Sequence, residues 1–120
     1  MFVAGFSCKT VSALNNCVSG RKRGIDEEHG ETGRTFDGVL QYLLVHRPGI
    51  VLLENVVGLA KCGTLQHCLY LMKLCGYAVH YRTLCTTEFF LPQVRPRIWI
   101  MAIRLDLLEN CGMSPDEWVA

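Results

Sequence analysis

The stretch RPGIVLLENVVGL, residues 47–59, indicates the fold class of this 120-residue chain. Its centre, IVLL at residues 50–53, is too short for a helix and is apolar on both faces of an extended strand. Strands buried on both faces are typical of the centre of a parallel sheet. Pro48 stands just before this strand and ends any helix that precedes it. The stretch therefore predicts a passage from a helix into a central strand of an α/β sheet.

Hydrophobic spacing on both sides of this stretch alternates between the helical and the strand period. The predicted strands are residues 2–6, 50–53, 77–84 and 98–103, and the predicted helices are residues 36–43, 65–72 and 105–110. No internal repeat or domain boundary interrupts this order. Strands that alternate with helices predict a layered α/β fold.

The composition excludes several classes of protein. Hydrophobic residues make up 50% of the chain and charged residues 19%, which is too apolar for a disordered protein. The formal net charge of +1 argues against a diffuse electrostatic nucleic-acid binder, although a local site can still bind phosphate. No apolar run reaches the roughly 18–20 residues of a membrane span, and the N-terminus lacks the basic region of a signal peptide. We therefore expect a soluble, intracellular protein that does not contact a membrane.

The seven cysteines predict neither a disulfide framework nor a metal site. An odd number of cysteines without a secretion signal does not fit a set of disulfides. Cys62, His67, Cys68 and Cys75 lie close together in sequence, but their spacing matches no compact tetrahedral zinc site. We expect most of the cysteines to be small buried hydrophobic residues.

Polar side chains gather at the predicted strand ends, where ligands bind in open α/β sheets. Glu54 is the hardest of them to explain as core, because a carboxylate at the end of an apolar strand is costly to bury without a partner. A structural ion pair of Glu54 with Arg95 or Arg97 is the alternative to a functional role. The polar groups are Ser7, Cys8 and Lys9 after the first strand, Glu54 and Asn55 after the second, and Gln93, Arg95 and Arg97 before the last.

Three segments resemble motifs of the cytosine-5 DNA methyltransferase family. FVAGFSCKTVS, residues 2–12, is similar to the nucleophile loop of that family, G-F/P-P-C-Q-x-F-S. RPGIVLLENVVGL is similar to its Glu-Asn-Val segment, and LPQVRPRIWIMAIR, residues 91–104, to its Q-x-R-x-R segment with the strand that follows. The three occur in the order of the family, with similar spacing, over roughly residues 1–105.

The resemblance implies a partial class I methyltransferase sheet of the Rossmann-like α/β class. The four strands would be the fourth to seventh of that fold, and the last would run antiparallel to its neighbours. Residues 1–105 would form a partial catalytic domain, and residues 106–120 a short C-terminal tail. The family's first strand and glycine-rich cofactor loop would precede Met1, so we expect the isolated chain to bind S-adenosylmethionine weakly.

The resemblance also implies a reaction, in which carbon 5 of cytosine in DNA receives a methyl group from S-adenosylmethionine. Cys8 would add to carbon 6 of the base, since that carbon must be attacked before carbon 5 becomes nucleophilic. Glu54 would hold N3 and the exocyclic amine, and Arg97 would bind O2 or the adjacent phosphate. The remaining implied contacts are Asn55, Gln93 and Arg95 with the substrate and Ser7 with the cofactor.

The nucleophile loop departs from the family pattern at three positions, one of which is Val11, where the family usually has phenylalanine. Ser7 stands where the family has proline, which removes a restraint on the backbone angle φ. Lys9 stands where the family has glutamine; its ammonium group favours the thiolate of Cys8 but cannot accept a hydrogen bond.

Other functions remain open on the sequence alone. RNA is an alternative substrate, because one branch of the family methylates transfer RNA. The chain could instead be a non-catalytic remnant that binds nucleic acid or a protein partner through residues 21–23, Arg95 and Arg97, or a thiol-rich domain without activity. A complementing polypeptide, or self-association through the edge of the first strand, is expected. The chain would be nuclear in a eukaryote and cytoplasmic in a prokaryote.

Overall fold

The computed structural model describes residues 1–7, 31–90 and 92–119. Within these residues the chain forms a sheet of four strands with four α-helices and two short 3-10 helices. In chain order these are β1 (Phe2–Gly5), α1 (Glu31–His46), β2 (Ile50–Val56), the first 3-10 helix (Val57–Cys62), α2 (Thr64–Leu74), β3 (Tyr77–Cys85), the second 3-10 helix (Thr86–Phe89), β4 (Pro96–Arg104), α3 (Leu105–Asn110) and α4 (Pro115–Val119).

Every predicted strand and helix is present, and most are longer than their apolar patterns. The pattern at 36–43 marks only the buried face of α1, and the helix extends beyond it to Glu31 and His46. Strand β2 continues past its apolar run to Val56 because its backbone pairing with β4 continues there. The 3-10 helices and α4 were not predicted, since such short segments carry no periodic signal.

The sheet has the strand order β1-β2-β4-β3. β1 and β2 are parallel, whereas β4 lies between β2 and β3 and is antiparallel to both. The predicted mixed sheet with an antiparallel last strand is therefore confirmed. Since β1, β2 and β3 all point the same way, their carboxyl ends meet at one edge, where α/β sheets bind ligands.

One face of the sheet carries the hydrophobic core. Alternate residues of β2 and β4, such as Val51 and Ile100, are almost fully buried. They belong to one cluster with apolar side chains of α1 and α2, which cover this face. The core residues from the two helices are Phe36, Val39, Leu43, Leu65, Cys68, Leu69 and Met72. The intervening strand residues, such as Leu52 and Trp99, are only half-buried on the opposite face.

The described cysteine side chains are free thiols in different environments. Cys68 is fully buried in the core, Cys75 and Cys85 are half-buried, and Cys111 is exposed. Burial raises the pKa of the Cys75 thiol. Among the described residues, no three potential metal ligands are grouped together, and no helix is long and apolar enough to cross a bilayer.

Candidate functional site

A cavity of about 500 Å³ lies at the carboxyl edge of the sheet. It brings together four residues predicted from the sequence, which are Glu54, Gln93, Arg95 and Arg97. The other lining residues are Val3, Ala4, Gly5, Leu84, Thr86, Phe89 and Trp99. All four strands contribute to its wall, so the cavity depends on the whole sheet.

Glu54 and Arg97 form an ion pair in this cavity. Nε of Arg97 lies 2.8 Å from Oε1 of Glu54, and the side chains remain 25% and 31% exposed, respectively. The sheet brings them together because Arg97 is paired with Val56, which lies on the same face as Glu54 one strand repeat away. Nη1 of Arg97 also donates a hydrogen bond to the carbonyl of Pro96, at 2.8 Å. The pair is thus held in place yet remains accessible from the cavity.

Gly5 lies close beside the Glu54 carboxylate. The two residues are register partners in the parallel β1–β2 ladder. A Cβ atom at position 5 would lie 3.3 Å from Oε2 of Glu54, tighter than an ordinary contact. Sequence reasoning missed Gly5, although a glycine near the end of a strand is a known sign of a close approach by a ligand or another backbone.

The wall opposite β1 includes Thr86, Phe89, Gln93 and Arg95. The Thr86 hydroxyl donates a hydrogen bond to the carbonyl of Gln93 and accepts one from the N–H of Arg95 at 3.1 Å. The N–H of Cys85 donates to Oε1 of Glu88 at 2.7 Å, which anchors the start of the second 3-10 helix. These contacts hold Gln93 and Arg95 at the cavity. The role of Thr86 could not be read from the sequence, because its partners lie seven and nine residues away.

Two hydrogen bonds involving Thr87 lower the pKa of the Cys85 thiol. This thiol lies at the end of β3, between cavity residues Leu84 and Thr86.

Asn55 lies on the face opposite Glu54 and is only 2% exposed. Its Nδ2 donates a hydrogen bond to the carbonyl of Phe6 at 3.2 Å, and its Oδ1 accepts one from the N–H of Val56 at 2.8 Å. Its side chain therefore binds the backbone at the end of β1 rather than lining the cavity. This contact fixes the chain two residues before Cys8.

The first strand leads towards the same edge as Glu54. The N–H of Ser7 donates a hydrogen bond to Oγ1 of Thr35 in α1, at 3.2 Å. Cys8 and Lys9 lie outside the described residues, and so does the basic triplet at 21–23. The resemblance implies that Cys8 acts on the same base as Glu54 and Arg97, and the position of Cys8 relative to them stays a prediction.

The motif segments and this geometry agree with a comparison against known protein families. A family model described as C-5 cytosine-specific DNA methylase matches residues 1–118. The chain belongs to this family. The C-5 methylase segment is 38% identical over 107 residues to the type II methyltransferase M.DsaV of Dactylococcopsis salina, covering 87% of this chain and 28% of that protein. It is 36% identical over 102 residues to the DNA (cytosine-5-)-methyltransferase DMT5 of Cryptococcus neoformans, covering 85% of this chain and 4% of that protein.

Solved structures agree on the fold of this C-5 methylase segment. The Dnmt2 methyltransferase of S. pombe superimposes with a TM-score of 0.61 at 22% sequence identity, over 86% of this chain and 30% of that protein. The Spodoptera frugiperda DNMT2 mutant superimposes with a TM-score of 0.59 at 20% identity, over 88% of this chain and 30% of that protein. The segment therefore spans less than a third of these relatives.

Proposed function

We propose that this chain forms the cytosine-binding part of a DNA cytosine-5 methyltransferase. The observation that carries the proposal is the Glu54–Arg97 pair, 2.8 Å apart in a cavity at the carboxyl edge of the sheet. The Watson–Crick edge of cytosine presents a donor at the exocyclic amine and acceptors at N3 and O2, and a carboxyl group beside a guanidinium complements this edge. Glu54 binds N3 and the exocyclic amine, and Arg97 binds O2. The base must leave the DNA stack to reach these groups.

Cys8 is the proposed nucleophile. Its thiolate forms a bond to carbon 6, and the electron pair of the 5,6 double bond moves to carbon 5. Glu54 stabilises this enamine through its contacts at N3 and the amine. After carbon 5 has gained a methyl group, the proton on carbon 5 leaves to a base, the double bond re-forms and the thiolate departs.

S-adenosylmethionine supplies the electrophilic methyl group when it is bound. Gly5 lines the cavity beside the Glu54 carboxylate and presents no side chain to a second ligand there. Ser7 follows at the same edge, so we assign Gly5 and Ser7 to the donor side of the cavity.

The other three polar residues support the base-binding pair. Gln93 and Arg95 line the cavity and are assigned to the substrate, with Arg95 binding a phosphate. Asn55 acts as a positioning residue, because its bond to the Phe6 carbonyl orients the chain that leads to Cys8.

A covalent trapping experiment tests the proposal. The chain is incubated with a large excess of S-adenosylmethionine, because the isolated chain is expected to bind this donor weakly, and with DNA that carries 5-fluorocytosine. After methyl transfer the fluorine cannot leave as the proton does, so the protein stays attached to the base. We expect a band on a denaturing gel that Cys8→Ser abolishes, since a hydroxyl at its normal pKa is a far weaker nucleophile than a thiolate. Cys111→Ser, which changes an exposed free cysteine, is the matched control and should trap normally. Trapping by Cys8→Ser, or none by the unmodified chain, would contradict the proposal.

A further inference from the structure

Phe90 has an unusual combination of exposure and backbone conformation. Its side chain is 99% exposed, the highest value among the exposed large hydrophobic residues of the described chain. Its φ and ψ angles are 61° and 20°, in the left-handed region that bulky side chains rarely adopt. Such outliers are costly and cluster at sites where ligands are held, so a functional explanation is warranted.

The backbone holds this ring in place at the end of the second 3-10 helix. The N–H of Phe90 donates a hydrogen bond to the carbonyl of Thr87 at 3.2 Å, closing the helix. Since the peptide is anchored, the ring is presented on a fixed turn rather than on a free chain end.

The turn lies at the rim of the cavity that contains Glu54 and Arg97. Phe89, the preceding residue, lines this cavity and is itself 59% exposed. Arg95 lines the cavity as well, and the residue before it, Val94, is 81% exposed. The rim therefore combines exposed apolar side chains with a guanidinium group.

We propose that Phe90 stacks on the DNA base next to the extruded cytosine; this rests on the proposed function. When a cytosine leaves the helix, its neighbour loses a stacking partner and exposes a flat apolar face. Proteins that bind unstacked bases offer aromatic rings for that face and cations for the adjacent phosphate. Phe90 supplies the ring and Arg95 the cation.

The test measures binding rather than methyl transfer. The 120-residue chain is titrated into a fluorescently labelled single-stranded oligodeoxynucleotide that contains cytosine, and the anisotropy gives the dissociation constant. Stacking of a base on an aromatic ring predicts that Phe90→Ala weakens binding between about fivefold and a hundredfold. Phe90→Tyr keeps the ring and should bind within about twofold of the unmodified chain. Tyr70→Ala removes a ring of α2 that is 57% exposed and should leave binding unchanged.

A second variant separates stacking from a purely structural role. Phe90→Gly removes the ring but relieves the left-handed backbone, so it should raise the melting temperature while weakening binding as much as Phe90→Ala does. Equal binding by the unmodified chain and Phe90→Ala would overturn the inference, and so would failure of the unmodified chain to bind the oligonucleotide.

The same series in a Cys8→Ser background distinguishes this inference from the proposed function. Stacking needs no thiol, so the loss caused by Phe90→Ala should persist there. If trapping by Cys8 fails but Phe90→Ala still weakens oligonucleotide binding, the proposed reaction is wrong and the stacking contact stands. If Cys8 traps the DNA but Phe90→Ala binds as well as the unmodified chain, only the stacking contact is wrong.

Discussion

Replacing Asn55 should destabilise the fold through the backbone it holds. Nδ2 of Asn55 donates to the carbonyl of Phe6, and Oδ1 accepts from Val56, in a side chain that is 2% exposed. In Asn55→Ala both backbone groups lose this partner. A buried polar group left without a partner costs about 1–3 kcal/mol, so the loss for the two groups should be about 2–6 kcal/mol. That is a large share of the roughly 5–15 kcal/mol by which domains are stable.

Asn55→Asp separates the hydrogen bond from the packing, because it keeps the shape and the acceptor for Val56. At pH 7 the introduced carboxylate faces the Phe6 carbonyl without a proton to donate, so this variant should be at least as unstable as Asn55→Ala. When protonated, the carboxyl can donate to Phe6. Its pKa in the folded state should therefore lie above the unfolded value of about 3.9. The hydrogen bond to Phe6 in Asn55→Asp therefore stabilises the fold below the unfolded pKa, and this stabilisation is lost as pH rises through the folded pKa.

Urea unfolding followed by far-ultraviolet circular dichroism, at pH 7 and below pH 4, measures these effects as free energies of unfolding. Val94→Ala, at a site 81% exposed, is the control and should change the free energy by less than about 0.5 kcal/mol. The reasoning is refuted if Asn55→Ala loses less than about 0.5 kcal/mol, or if Asn55→Asp gains nothing relative to Asn55→Ala on acidification.

Two further predictions concern the cavity and the far end of the sheet. Gly5→Ala places a Cβ 3.3 Å from Oε2 of Glu54, so the carboxylate must shift, and trapping of 5-fluorocytosine DNA should fall. Gly38→Ala is the control, because no atom lies within 4 Å of its new Cβ, and it should trap normally. Equal trapping by both variants would count against the role of Gly5. Nε of Arg104 lies 2.6 Å from Oδ1 of Asp106 and lowers the pKa of that carboxyl. The ion pair therefore stabilises the fold above the unfolded pKa of Asp106, and this stabilisation is lost as pH falls through the folded pKa. Below about pH 4 the free energy of unfolding should fall less in Asp106→Asn than in the unmodified chain. If the free energy of unfolding depends on pH in the same way in both proteins, the ion pair does not contribute as described.

The choice of partner for Glu54 illustrates how far the sequence reaches into the site. For a carboxylate at the end of an apolar strand, the cost of burial indicated an ion pair with Arg95 or Arg97 as the alternative to a functional role. The β2–β4 register selects Arg97, because that residue pairs with Val56 on the same face as Glu54. Arg95 lies before β4 begins, so no ladder places its side chain beside Glu54.

The sequence by itself determined the order and type of the main helices and strands, because periodic burial is a local signal that each segment carries alone. Family motifs also marked Glu54 and Arg97 as site residues. Only the tertiary structure decided that Gly5 lies close beside the Glu54 carboxylate, that Thr86 anchors the opposite wall and that Asn55 holds the backbone of Phe6. Each of these contacts joins atoms that strand pairing or chain reversal brings together, and such long-range pairing leaves no trace in the spacing of neighbouring residues.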